Sequence, residues 1–187
     1  MKLFNHFAVC TALSCLVVLP SFAQQAPTGA PSTVPAANPA DVATMDAILA
    51  AMYDVISGPA KVPRNWDRMR SLFIPGARLI PTGARPGGEV LANVRDLEGY
   101  IATATQTFDK IGFFETEAAR RVEQFGHIAH VFSTYETRHA KEEAKPFQRG
   151  INSIQLLYDN KRWWIVTIYW EGERADNPIP ETYLRSK

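Results

Sequence analysis

The stretch that most constrains the fold is Phe147 to Glu171, FQRGINSIQLLYDNKRWWIVTIYWE, in which two apolar runs flank Asp159-Asn160-Lys161. Ile, Leu, Val, Tyr and Trp suit a pleated, packed surface and Asp-Asn-Lys is turn chemistry, so the stretch is predicted to be two long antiparallel strands. With Asp159 and Arg162 bracketing a two-residue turn, Tyr158 faces Trp163, Leu156 faces Ile165, Ile154 faces Thr167 and Asn152 faces Tyr169. The other side carries Ile151, Ser153, Gln155 and Leu157 against Trp164, Val166, Ile168 and Trp170. Both faces are then apolar. A sheet that must be covered on both sides implies helices on one and a second subunit or a covering segment on the other.

Residues 1–23 read as an export signal: Lys2 supplies the charge, Phe7 to Leu19 is apolar but short for a bilayer span, and Ser21-Phe22-Ala23 is a small-x-small cleavage site. A lipid anchor at Cys15 is the competing reading, weakened by the Leu-Val-Val-Leu that follows it. Cleavage after Ala23 places the mature protein in the periplasm or outside the cell. Cys10 and Cys15 both fall within the signal, so the exported form has no disulfide to lean on. Residues 24–40, rich in Pro, Ala, Ser and Thr, cannot bury enough apolar area to offset their ordering entropy and read as a disordered linker. Residues 41–187 suffice for one domain with its own core. Lys and Arg number 20 against 19 Asp and Glu, a balance that argues against nucleic acid as partner, and no second apolar run suggests a membrane span.

Asp41 can cap a helix through VATMDAILAAMYDVISG, with Met45, Ile48, Leu49, Met52 and Ile56 on one face and Gly58-Pro59 as the stop. A short helix over 64–73 puts Trp66, Met69 and Phe73 on one face. Ala77 to Pro81 reads as a short strand, Thr82 to Glu89 as a glycine-rich hairpin or loop, and Val94 to Ile111 as a third helix with Leu97, Tyr100, Ile101, Ala104 and Phe108 in a stripe. Two long strands hinged at Phe125-Gly126 follow, then a charged loop over 140–146 and the hairpin. Helices segregated to one face of an antiparallel sheet make an α+β fold.

The run Trp66-Asp67-Arg68-Met69-Arg70-Ser71-Leu72-Phe73-Ile74-Pro75-Gly76-Ala77-Arg78-Leu79, with the third helix and the Arg162-Trp163-Trp164-Ile165 strand, resembles the nuclear transport factor 2-like superfamily. That group includes SnoaL-like cyclases, ketosteroid isomerase, scytalone dehydratase and limonene-epoxide hydrolase. The resemblance implies a cone: a curved antiparallel sheet wrapped around three helices, with a pocket at the open end and dimers packed sheet to sheet. It also implies that Trp163 and Ile165 point inward. Alternation then places Thr167 and Tyr169 inside with Asn152, Ile154 and Leu156, and leaves Trp164, Val166, Ile168 and Trp170 outside as a homodimer surface. Shared fold does not fix chemistry.

A hairpin pairing Gln124 with His127 sets Arg120 opposite Val131, Ala118 opposite Ser133 and Thr116 opposite Tyr135. An inward Arg120 among Tyr135, Asn152, Tyr169 and Thr167 would hold a carboxylate, or would sit at the rim with its stem packed. The same register gathers Glu115, Glu117, Arg121, His130 and Glu136 on the outer face, and a one-residue bulge would exchange the faces. Trp66 and Trp163 complete the expected pocket lining. Asp67, Tyr135 and Tyr169 are the candidate catalytic groups, although Asp67 can equally answer Arg68 or Arg70. His127 and His130 point to opposite faces and cannot share a metal, so no metal and no cofactor are expected. Three readings follow: a binder of a small apolar or carboxylate ligand, a cofactor-free isomerase, dehydratase or hydrolase, or an interaction module using the outer sheet face. An acid set in an apolar pocket wall favours the enzyme.

Overall fold

The computed structural model describes residues 34–85 and 87–185. The expected signal peptide, and the linker as far as residue 33, lie outside the described residues. Asn38 opens a short helix, α1 (Pro39–Val42), by accepting from the Ala40 amide. The first long helix, α2 (Met45–Ile56), is capped by Thr44, whose hydroxyl accepts from the Ala47 amide at 3.0 Å. Asp41 is therefore no cap; its carboxylate takes the Arg68 guanidinium at 2.8 Å instead. Asn65 caps α3 (Trp66–Leu72) and Asp96 caps α4 (Leu97–Phe108). Such side chains satisfy amides that a helix start leaves without intrahelical partners.

Six strands complete the chain: β1 (Phe73–Ala84), β2 (Val90–Ala92), β3 (Phe114–Phe125), β4 (Ile128–Arg138), β5 (Gln148–Tyr158) and β6 (Trp163–Gly172). They form one curved, unclosed sheet in the order β2-β1-β6-β5-β4-β3, the α+β architecture expected. One pairing departs from an all-antiparallel sheet: β1, longer than the five residues anticipated, runs parallel to β6. Ile48, Leu49 and Met52 of α2, Met69 and Leu72 of α3, and Val131, Ile154, Leu156 and Ile165 of the sheet are buried in a single core. Arg64 fixes the connection after α2. Its guanidinium donates to the carbonyls of Ile56, Gly58, Pro59 and Val62 at 2.5–3.1 Å.

Two extra residues decide which side chains face the core. On β6, Leu156 pairs with Ile165 but Gln155 pairs with Thr167, so Val166 is bulged out of the ladder. Beyond it the alternation reverses: Ile154 pairs with Ile168 and Asn152 with Trp170. Ile168 is buried and Trp170 packs against the core, while Tyr169 is 47% exposed. The expected inward positions of Thr167 and Tyr169 and the expected outward positions of Ile168 and Trp170 are thus exchanged. On β3, Glu117 pairs with Tyr135 and Ala119 with Thr134, leaving Ala118 as the second bulge. The β3–β4 turn is also one residue later than expected, with Phe125 paired to Ile128 and Arg120 to Ser133.

The outer face has its own cover. After β6 the chain returns to a one-turn 3-10 helix, Glu181–Tyr183. The Tyr183 ring lies 5.0 Å from that of Phe132, Thr134 donates its hydroxyl to the Tyr183 carbonyl, and Arg121 donates to the Thr182 carbonyl. The anticipated sheet-to-sheet stripe of Trp164, Val166, Ile168 and Trp170 is not formed, because the Val166 bulge removes its two C-terminal members and the tail occupies neighbouring ground. Trp164 does face outward. The Arg162 guanidinium stacks 3.7 Å from its ring centre and Asp159 accepts its indole N–H at 2.7 Å. That bond, with those from the Arg162 and Lys161 amides, holds the Asp159 carboxyl at about 2.

Candidate functional site

Inside the sheet, Met52 and Ile56 of α2, Met69 of α3, Leu79 of β1 and Ile168 of β6 wall an apolar chamber of about 80 Å³. Glu115, Asn152, Tyr100 and Trp170 complete the lining. Glu115 arrives there because the Ala118 bulge puts Glu117 beside Tyr135 and Glu115 beside Thr137 on the concave side. Its carboxylate accepts the Thr137 hydroxyl at 3.0 Å and lies 3.5 Å from the Asn152 amide nitrogen. Burial is the larger influence and pushes the Glu115 carboxyl up to about 7, against the pull of those two donors. As a residue Glu115 is only half-buried, since it stands on an edge strand; it is the carboxyl end that lies among dry groups.

Asn152 is oriented by a directional hydrogen-bond chain. Ser133 donates to Glu117 at 2.6 Å, so the contact of 2.7 Å between Tyr53 and Ser133 has Tyr53 as donor. Tyr53 then accepts from the Asn152 amide nitrogen at 3.1 Å, which aims the same NH₂ toward Glu115. Burial first, and the Glu115 charge second, raise the phenols of Tyr53, Tyr100 and Tyr135 above their ordinary range. These phenols stay protonated at neutral pH as hydrogen-bond donors. Tyr100 meets Trp170 edge-on, with ring centres 6.1 Å apart, and among the described residues its hydroxyl has no hydrogen-bond partner.

Glu115 also lines a second space, a cleft of about 950 Å³ that includes Tyr53, Arg120, Arg138 and Lys141. It therefore stands between a small apolar chamber and a wide charged mouth. The mouth's arginines pair with other acids: Arg120 with Asp46 at 2.8 Å and Glu117 at 3.1 Å, and Arg138 with Glu136 at 2.7 Å. Lys141 lies over the Phe114 ring. Among the described residues no group of three or more His, Cys, Asp or Glu could hold a metal ion, and no helix is long and apolar enough to cross a membrane.

Of the residues singled out in the sequence, Asn152 lines the chamber and Arg120 faces the mouth. Tyr135 is buried close by, its hydroxyl over Gly150. The others lie elsewhere. Trp66 stacks on Phe108 beside Arg64, and Trp163 packs on Tyr158 in the core. Thr167 and Tyr169 face outward beyond the Val166 bulge, and Asp67 is an exposed partner of Arg70 at 2.8 Å. His130 and Glu136 stand on the outer face as expected, whereas Glu115 and Glu117 do not. Glu115 and Tyr100 were missed as site residues. The one signal for Glu115 was the possibility of a β3 bulge, and Tyr100 was legible only as part of an apolar helical stripe.

No family model and no curated protein matches the chain. Solved structures do. A protein of unknown function with a cystatin-like fold from Nostoc punctiforme is 10% identical over 68% of this chain and 87% of its own, with a TM-score of 0.51. A Mycobacterium tuberculosis protein of unknown function is 14% identical over 73% of this chain and 79% of its own, at 0.50. An NTF-2 like protein of unknown function from Silicibacter pomeroyi is 17% identical over 70% of this chain and 94% of its own, at 0.47. Similarity at this level concerns the fold alone, a curved sheet with helices on one face, the α+β arrangement that the resemblance in sequence implied.

Proposed function

We propose that this protein is a cofactor-free acid–base enzyme acting on a small amphipathic molecule, with Glu115 as the proton-transfer group. The observation that carries the reading is a carboxyl raised to about 7 in the wall of an apolar chamber. A general acid–base group works best with a pKa near the operating pH. In the ionised form Glu115 takes a proton from a carbon next to a carbonyl. The Tyr100 hydroxyl donates a hydrogen bond to the developing enolate oxygen, and protonated Glu115 returns the proton to another carbon as the double bond shifts. Asn152, its NH₂ fixed by Tyr53, holds the carboxylate in place.

The chamber is about half of a 150 Å³ cavity known to hold benzene. It accepts the apolar end of the substrate while the remainder extends into the mouth. Lys141 there suits a carboxylate or another polar oxygen group, beside arginines that already hold Asp46, Glu117 and Glu136. The test is exchange of α-protons for deuterium, followed by NMR, in a panel of small cyclic ketones with and without a carboxylate tail. Wild type should accelerate exchange, Glu115→Gln should lose about 10²–10⁴-fold of that rate, and Tyr100→Phe should lose a smaller factor. Saturable ligand binding with exchange equal in wild type and Glu115→Gln would leave a binding protein and end the enzymatic reading.

A further inference from the structure

Between the outer sheet face and the returning tail lies a second cavity, of about 280 Å³, which shares only Trp170 with the lining of the chamber and nothing with the mouth. The sheet register explains it. Phe132 of β4, Ser153 of β5 and Tyr169 of β6 are partners in one row and stand on the same face. Two strand spacings, about 10 Å, separate the backbones that carry the two rings, and the small serine between them leaves a slot. Tyr183 of the tail closes one side, its ring 5.0 Å from that of Phe132. Pro178 and Pro180 line the same cavity and bring no backbone N–H to it. The tail is held at both ends: the Ile179 amide donates to Glu173 at 2.9 Å, and Thr134 and Arg121 donate to the Tyr183 and Thr182 carbonyls.

Among the described residues no Lys, Arg or His lines this cavity, whereas Glu171 and Glu173 do. Glu173 is fully engaged, by Arg149 at 2.8 and 3.1 Å and by the Ile179 amide. Glu171 stands two residues from Tyr169 on the same face of β6; Arg174 donates to its Oε1 at 2.5 Å, and Oε2 remains to face a ligand. Arg149 and Arg174 answer three acids, Glu171, Glu173 and Asp176, so the rim keeps a net negative charge. We propose that this cavity binds an organic cation of the alkylammonium class, its head between Phe132 and Tyr169 and its charge beside Glu171. Ring faces attract a cation through their quadrupole, and the carboxylate adds a charge partner. An anion would meet the two carboxylates, and a hard metal ion would need several oxygen ligands where rings and prolines supply most of the wall. The site stands apart from the chamber and rests on none of the chemistry proposed for Glu115.

Choline chloride is the probe, with its uncharged carbon isostere 3,3-dimethylbutan-1-ol as control, each titrated into the full chain and followed by NMR of the ligand methyl and tyrosine ring protons. Choline should saturate with a Kd of about 0.1–10 mM, and the isostere should bind at least about tenfold more weakly. Tyr169→Leu and Glu171→Gln should each weaken choline by about 3–30-fold. Tyr169 is 47% exposed, so its replacement should keep the circular dichroism of the native protein; if that variant unfolds, Glu171→Gln decides. Glu115→Gln should leave the affinity for choline unchanged, which separates this site from the chamber. The proposal is overturned if choline and its isostere bind equally, if neither substitution weakens choline, or if choline fails to saturate by about 100 mM. An affinity that falls in Glu115→Gln would place choline in the chamber and overturn it too.

Discussion

Glu115 and Gly150 show how single residues set the site. Glu115 has the chemistry, but the nearby Tyr135 phenol is seated over a residue with no side chain. A Cβ at Gly150 would stand 2.3 Å from the Tyr135 hydroxyl and 2.4 Å from the Glu171 carbonyl. The phenol could swing aside, but the carbonyl belongs to the neighbouring strand and cannot. Gly150→Ala should therefore cost about 1–3 kcal/mol, the range for overpacking, and thermal denaturation should show a clear fall in Tm. An unchanged Tm would mean that β5 and β6 are looser than described. The same replacement at Gly83, where nothing lies within 4 Å of the added carbon, should be mild.

At the scale of elements, the two bulges do what the residue types alone could not announce. The four long strands β3 to β6, their succession along the chain and the turn at Asp159 were legible because turn residues interrupt runs of β-favouring ones. The facing of β6 was legible only as far as Ile165. Past that point Val166, Thr167, Ile168, Tyr169 and Trp170 offer large or β-branched groups to both sides, so hydrophobic alternation has nothing with which to choose a register. Ala118 beside Ala119 is equally mute on β3. The parallel β1–β6 pairing was hidden too, since Ala77 to Pro81 read as a minor strand and parallel partners share no turn. A bulge is an extra residue, and this makes its role testable. Deleting Val166 keeps Ile165 opposite Leu156 and Thr167 opposite Gln155, so Ile168 and Trp170 stay inside. Deleting Thr167 as well makes Ile168 follow Ile165 directly, turns it and Trp170 outward and should cost about 3 kcal/mol or more in denaturant unfolding, as loss of a buried large side chain does. Equal stability of the single and the double deletion would refute this account of the strand.

For the molecule as a whole, the helices and sheet place one titratable carboxyl between a dry chamber and a charged mouth, and that has a consequence for stability. Folding raises the Glu115 pKa from 4.5 to about 7, so between those values the folded state binds the extra proton. Stability from this group is complete below about pH 4.5 and is lost as pH rises through 7. Glu115→Gln removes that dependence and should be the more stable protein at pH 8. The α+β class, a curved sheet with helices on one face, could be read from the order of elements. The acid at its centre could not, because its placement rests on the Ala118 bulge. The most direct test is to follow the Glu115 side-chain carboxyl by ¹³C NMR from pH 4 to 9, assigned by its absence in Glu115→Gln. A midpoint near 7 is predicted; a midpoint at the usual value of 4.5 would contradict the placement of Glu115 in the chamber wall and the chemistry proposed for it.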